Sequence, residues 1–185
     1  MAVQRVEELL LKVSRTLDQA GIPYAVIGGN AVAAWVATVD EGAVRATKDV
    51  DILLRREDLD RAAQALAKVD LDQHEVLGVT MFLDRRNPSP KTGAHVIFAR
   101  EKVRESSKHS SPDVDDSVRA STGFLVLELD SLLRMKLEAY RRVDQVHVED
   151  MLSLGLIGEE MRRSLAVDLQ ERLDHIERTR DKEQP

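Results

Sequence analysis

Residues Tyr24–Leu54 read YAVIGGNAVAAWVATVDEGAVRATKDVDILL. The apolar run Tyr24–Ile27 has the composition of a buried strand, and Gly28-Gly29 breaks it. Asn30–Thr38 is rich in Ala and Val, which predicts a helix with Asn30 placed to cap its first turn. A polar connection over residues 39–48 leads to a second apolar run, Val50–Leu54. On that strand residues two apart share a face, so Asp49 and Asp51 project together while Val50 and Ile52 enter the core. Two carboxylates this close disfavour each other's ionisation unless a cation lies between them. All-oxygen ligation suits Mg²⁺, with Mn²⁺ as an alternative. Taken alone, Asp-x-Asp is weak, because an ordinary strand with two exposed Asp residues also explains it. The glycine pair adds weight, since it lets the backbone approach a phosphate at a helix N-terminus. Arg45 and Thr47 add a cation and a hydroxyl just ahead of the carboxylates. Asp is depleted in strands, so two of them in an apolar run call for a reason.

Outward from this stretch, Val6, Leu9, Leu10, Val13 and Leu17 have helical spacing, which predicts a helix over residues 3–20 closed by Gly21. Arg56–Val69 returns to helical spacing. Val76–Leu83 and Ala94–Ala99 read as two strands joined by the turn-rich RRNPSPKTG. Residues 101–122 are polar and read as a long surface loop, and Phe124–Leu127 as a last short strand. Helices are expected at Ser131–Val143, at His147–Leu154 and from Glu159 onward, with a charged tail fraying from Arg172. The fold class is therefore α/β (α+β), a mixed sheet flanked by helices. Residues 1–127 form the core and residues 128–185 a helical C-terminal segment packed on it.

The 185 residues suit one domain with a helical appendage, and 43% hydrophobic residues can fill a core despite only 3% aromatics. A net charge of -6 argues against a simple counterion-release binder of nucleic acid. The absence of cysteine removes disulfides, thiol nucleophiles and Cys-type zinc sites. No apolar run reaches membrane-spanning length and the N-terminus is not a signal sequence, so a cytoplasmic protein is expected.

With these residues in view, YAVIGGNAVAAW followed by RATKDVDILL resembles the nucleotidyltransferase superfamily. LLRMKLEAYRRVDQVHVEDMLSLGLI, residues 132–157, is similar to its AbiEii/AbiGii branch, the toxin components of bacterial toxin–antitoxin systems. The resemblance implies a nucleotidyltransferase fold and transfer of NMP from an NTP to a hydroxyl of RNA (a tRNA end among them), protein or a small molecule. It implies a nucleotide held by Gly28, Gly29 and Lys136 and a metal held by Asp49 and Asp51; Asn30, Arg45 and Thr47, beside them in the sequence, are expected to join the nucleotide contacts. The branch also implies an antitoxin partner; a monomer and a homodimer are both compatible with the helical third. Lys136 would face the triphosphate, whereas Arg142, His147 and Asp150 suit salt-bridge or capping roles, with Glu138 and Arg142 at i,i+4 spacing.

Two departures stand out. The gap between Gly29 and Asp49 is wide, which suggests an inserted turn over residues 39–46. Many active members carry a third carboxylate on a later strand, where this chain has His95. A neutral His95 could accept a proton, or it could be an ordinary hydrogen-bonded strand residue. Asp84, on the adjacent strand, is another candidate for the missing acid. Without that acid, a catalytically inactive nucleotide-binding or interaction module is the alternative function. The crowded Ser106, Ser107, His109, Ser110, Ser111 and Asp113 have no triad logic and suggest a loop over the site mouth. Arg55-Arg56 and Arg85-Arg86 suit a solvated surface or an anionic acceptor.

Overall fold

The computed structural model describes residues 2–183, with the side chains of residues 4–180. Helix α1, Ala2–Gln19, buries Leu10, Val13 and Leu17. It ends where Gly21 turns left-handed at φ +61°, with Gly21 N–H donating to Asp18 and Ile22 N–H to Leu17. This paired capping leaves the last carbonyls of α1 satisfied and fixes its stop. Strand β1, Tyr24–Ile27, is buried at every residue, as its unbroken apolar run requires of a central strand. Helix α2, Gly28–Ala37, follows without a loop, and β2, Val50–Leu54, returns antiparallel to β1. Helix α3, Leu59–Ala67, comes next behind a short 3-10 turn at Arg56–Asp58.

The strand expected over Val76–Leu83 is instead the centre of a hairpin. Strands β3, Leu71–Val76, and β4, Val79–Asp84, meet at Leu77-Gly78, whose φ values are +52° and +76°. Positive φ at both turn residues matches the right-handed twist of the flanking strands. Strand β4 then runs antiparallel to β5, Ala94–Phe98, across the Pro-rich connection, as expected. The polar stretch contains a short β6, Ser117–Arg119, paired with β7, Leu125–Leu127. The seven strands lie in the order β3-β4-β5-β2-β1-β7-β6, and β2–β5 and β1–β7 are the parallel pairs.

Helix α1 packs on β1, β2, β5 and α3, while α2 packs on β1, β2 and β7. The C-terminal helices α4, Leu129–Ala139, and α5, Arg142–Ser153, lean on α2. A short α6, Glu159–Ser164, precedes α7, Val167–Glu183, which rests on α4 and α5. Where a frayed tail was expected from Arg172, α7 continues, because Leu173 and Ile176 are buried. One apolar cluster runs from Leu10 through both central strands to Ile176, so the C-terminal helices share the core of the sheet. Among the described residues no helix is long and apolar enough to cross a membrane.

Candidate active site

The end of β1 and the start of β2 meet where Ile27 faces Asp51 in register. Gly28 sits there at φ +69°, and a β-carbon on it would lie 2.1 Å from Asp51 Oδ2. Both facts demand glycine: the backbone is left-handed, and the carboxylate occupies the space a side chain would need. Gly29 is under a similar constraint, since its β-carbon would lie 2.7 Å from Thr47 Cγ2. The glycine pair is therefore the first turn of α2 rather than a separate loop. That moves the cap: α2 starts after Ile27, and Asn30 lies inside the helix. Asn30 Nδ2 donates to the Asp49 carbonyl at 2.7 Å, and its Oδ1 accepts from Thr47 Oγ1 at 2.8 Å. Asn30 and Thr47 thus shape the run into Asp49.

Asp49 is exposed, and its carboxylate has no hydrogen-bond or ion-pair partner among the described residues. Asp51 keeps 30% of its side chain exposed. Its neighbour across the parallel pair is His95. His95 Nδ1 lies 3.3 Å from Asp51 Oδ1, and Nε2 lies 3.0 Å from the Pro90 carbonyl. Both nitrogens therefore face acceptors, which favours the imidazolium. The Asp51 hydrogen bond raises the His95 pKa above the ordinary histidine value against the pull of burial, with the Pro90 carbonyl assisting. Both ring nitrogens are engaged, so His95 presents no free nitrogen to a nucleophile. Asp84 does not fill the gap: its Oδ1 accepts from the N–H groups of Arg86 and Asn87, and it is not among the cleft residues.

Lys136 lies in a cleft of about 1310 Å³ together with Gly28, Gly29, Thr47, Asp49, Asp51 and His95. It is only 5% exposed, and its Nζ donates to Asp144 Oδ1 at 3.1 Å. Asp144 also receives Arg141 Nε at 2.7 Å and the Arg141 N–H at 3.2 Å. Burial pushes the Asp144 carboxyl up, but the Arg141 hydrogen bond and the Lys136 charge hold it below the usual range. Burial pulls Lys136 below the usual lysine value, with Asp144 and then Asp51 opposing that pull. Both shifts are downward, which favours the charged form of Asp144 but not of Lys136, and the geometry decides: a carboxylate ringed by donors favours the ion pair. The sequence marked Lys136 but not the Arg141–Asp144 pair that orients it.

Arg45, read as a nucleotide contact, is turned away. Its Nε and Nη2 clasp Asp150 at 2.6 and 3.0 Å, strapping the 39–49 connection to α5. That connection carries the expected extra turn, at Glu41–Ala43. Because the Arg45 side chain is 63% exposed, Arg45→Ala should cost under about 1 kcal/mol of stability. A larger drop in urea midpoint would mean that the strap holds more than one exposed ion pair.

The expected Glu138–Arg142 helix pair does not form, because α4 stops at Ala139 and Tyr140 turns left-handed at φ +49°. Arg55 pairs instead with Asp113 and Asp115, Arg56 with Glu101, and Arg85 with Asp70 and Asp72. None of these arginines lines the cleft.

His147 stands beside the glycine turn, with Cε1 3.7 Å from where a Gly29 β-carbon would be. Its Nδ1 is buried without a hydrogen-bond partner. Burial, and then the Lys136 charge, push its pKa from 6.5 down to about 4. Between those values the unfolded chain binds a proton that the folded chain refuses, so stability falls as pH drops through that window. After discounting for partial solvent contact, the loss should reach roughly 2 kcal/mol. Urea midpoints at pH 7.5 and 5 should show a fall that His147→Gln largely removes. An equal fall in both proteins would assign the acid sensitivity elsewhere.

No protein-family model matches the chain, and no curated protein sequence does. Solved structures do. An antigenic nucleotidyltransferase-like protein from Paracoccidioides brasiliensis aligns with a TM-score of 0.65 at 16% identity, covering 98% of this chain and 91% of that one. The chain has the nucleotidyltransferase fold. The antibiotic-resistance factor ANT(2'')-Ia also aligns, its solution structure with a TM-score of 0.56 at 16% identity over 98% of this chain and 95% of that one. Its crystal structure with adenylyl-2''-tobramycin aligns with a TM-score of 0.58 at 15% identity, covering 94% of this chain and 97% of that one. These likenesses span nearly the whole chain, the helical third included.

Proposed function

We propose that this chain is a divalent-metal-dependent nucleotidyltransferase that moves NMP from an NTP to a hydroxyl of RNA, protein or a small molecule. The observation that carries the reading is the fit of Asp51 against Gly28, which places a carboxylate pair beside a helix N-terminus with no side chain between. The donor set suits the ion: Asp49 has no hydrogen-bond or ion-pair partner among the described residues, Asp51 keeps 30% of its side chain exposed, and both offer oxygen alone. Mg²⁺ held there would neutralise phosphate charge during in-line displacement.

The chain's own residues supply the rest. The first turn of α2 presents N–H groups to the phosphates, with glycines allowing close approach. Lys136, locked by Asp144 and Arg141, puts a fixed positive charge on the opposite wall. In the reaction the acceptor oxygen bonds to the α-phosphorus, the bond to the bridging oxygen breaks, and pyrophosphate leaves. Lys136, Arg141, Asp144 and His147 of the 132–157 motif all line this cleft. We read these residues with the toxin-type branch that their sequence motif resembles, and with it an RNA or protein acceptor and an antitoxin partner. A small-molecule acceptor is the reading favoured by likeness to ANT(2'')-Ia, which is known here with adenylyl-2''-tobramycin.

One observation favours a second reading, a binding module without transfer. His95 stands where the resemblance puts a third carboxylate, and both its nitrogens are engaged, by Asp51 and the Pro90 carbonyl, so it offers no free acceptor for the hydroxyl proton. Incubating the chain with each α-labelled NTP, Mg²⁺ or Mn²⁺, and total cell RNA or protein separates the two. Transfer predicts label in one acceptor class and release of pyrophosphate. Nucleotide binding with no incorporation under any metal would establish the module instead.

A further inference from the structure

A second cluster of metal-ligating side chains lies outside the strand that carries Asp49 and Asp51. His109 comes from the connection between β5 and β6, Glu138 from α4, and Asp168 from the first turn of α7. One ligand atom from each lies within 4.8 Å of the others. We infer that His109, Glu138 and Asp168 form a separate metal site that takes a borderline divalent cation, Zn²⁺.

The strongest sign is an oxygen left wanting. Glu138 Oε1 accepts the Lys108 N–H at 2.7 Å, but Oε2 is buried and has no hydrogen-bond donor. Arg172 Nη1 is 3.8 Å away, and it already donates to the carbonyls of Leu137 at 2.6 Å and Glu138 at 2.9 Å. A desolvated carboxylate oxygen without a donor is unfavourable, and a cation would relieve it. His109 Nε2 sits 3.1 and 3.2 Å from the two Asp168 oxygens, so a ring nitrogen and a second carboxylate already converge there.

The donor chemistry selects the ion. One imidazole and two carboxylates match the nitrogen and oxygen ligands of zinc, whereas Mg²⁺ prefers an all-oxygen, largely hydrated shell. Ligand atoms around tetrahedral zinc are roughly 3.4 Å apart, so the widest spacing in the cluster must contract by up to about 1.4 Å. Of the two cations beside the cluster, Arg172 stays tied to the α4 carbonyls, and the other is poorly held. Lys108 Nζ lies 3.5 Å from Asp168 with its side chain 66% exposed, and it can swing into water when the metal arrives. Loading would tie the Ser106–Ser111 wall of the cleft to α4 and α7, fixing the shape of the space beside the glycine turn. This site does not depend on whether the chain transfers nucleotides.

The test uses the full chain carrying Asp49→Asn and Asp51→Asn, so that the carboxylate pair on β2 cannot contribute. Zn²⁺ is titrated against a chromophoric chelator, and Co²⁺ is followed by its visible absorption. One equivalent of Zn²⁺ should bind and Co²⁺ should develop a low-coordinate spectrum. His109→Ala and Asp168→Asn should each weaken Zn²⁺ at least about tenfold and remove the Co²⁺ bands, with helical circular dichroism retained. His175→Ala, elsewhere on α7, should leave both signals intact. No Zn²⁺ equivalent, or one that persists in both ligand variants, overturns the site.

Discussion

Asp51→Asn is expected to lower metal-dependent nucleotide incorporation by about 10²–10³-fold at saturating Mg²⁺ while leaving the fold intact. Asparagine keeps the volume of the side chain, and its carbonyl oxygen can still accept the 3.3 Å contact from His95. The glycine at position 28 still has the close neighbour its backbone was shaped around. What disappears is one negative charge from a pair whose proposed task is to hold a divalent cation. Initial rates with the labelled NTP and acceptor, alongside thermal melting of both proteins, separate lost chemistry from lost structure. A variant that melts normally and works at the wild-type rate would remove Asp51 from the mechanism.

Asp144→Ala should be the most damaging single change to stability, costing about 3–5 kcal/mol. The carboxylate is 1% exposed and anchors Lys136 Nζ, Arg141 Nε and the Arg141 N–H. Alanine strands the Lys136 ammonium at 6% side-chain exposure, with no counter-charge in contact. Arg141 is less affected because 57% of its side chain already meets water. Replacing both partners, as Lys136→Met with Asp144→Leu, removes the stranded charge and should recover much of the loss. Urea unfolding of Lys136→Met, Asp144→Leu and the double variant gives the coupling directly. Additive losses would mean that the two residues do not act as a pair. Nucleotide affinity should fall in the double variant even where stability returns, because the cation opposite Asp51 is gone.

The parts of the fold that could be read from sequence were those whose signal is local. Tyr24–Ile27 is a continuous apolar run ended by Gly28, Val50–Leu54 is apolar but for Asp51 and follows Asp49, and both form strands with those limits. Strand β3 was hidden because Asp72, Gln73, His74 and Glu75 make an edge strand look like a loop. The turn at Leu77-Gly78 lacks the Asn or Asp that usually announces it. The site divides in the same way. Gly28, Gly29, Asp49 and Asp51 lie within one short stretch, and β1–β2 pairing alone brings them together. The partnership of Lys136 with Asp144 depends on α4 ending at Tyr140 in a left-handed turn, which no helical periodicity signals. Arg45 looked like a phosphate ligand because of its place before Asp49, and only the tertiary structure brings Asp150 to it.

Asp49 and Asp51 are proposed to hold the metal of a nucleotide site beside the glycine turn. Calorimetric titration of each of the four NTPs, with Mg²⁺ and with chelator, tests this whether or not transfer follows. The account predicts that at least one NTP binds about tenfold or more tightly with Mg²⁺, and that Asp49→Asn with Asp51→Asn erases the difference. Nucleotide affinity that ignores Mg²⁺, or a Mg²⁺ effect that survives loss of both carboxylates, would contradict it.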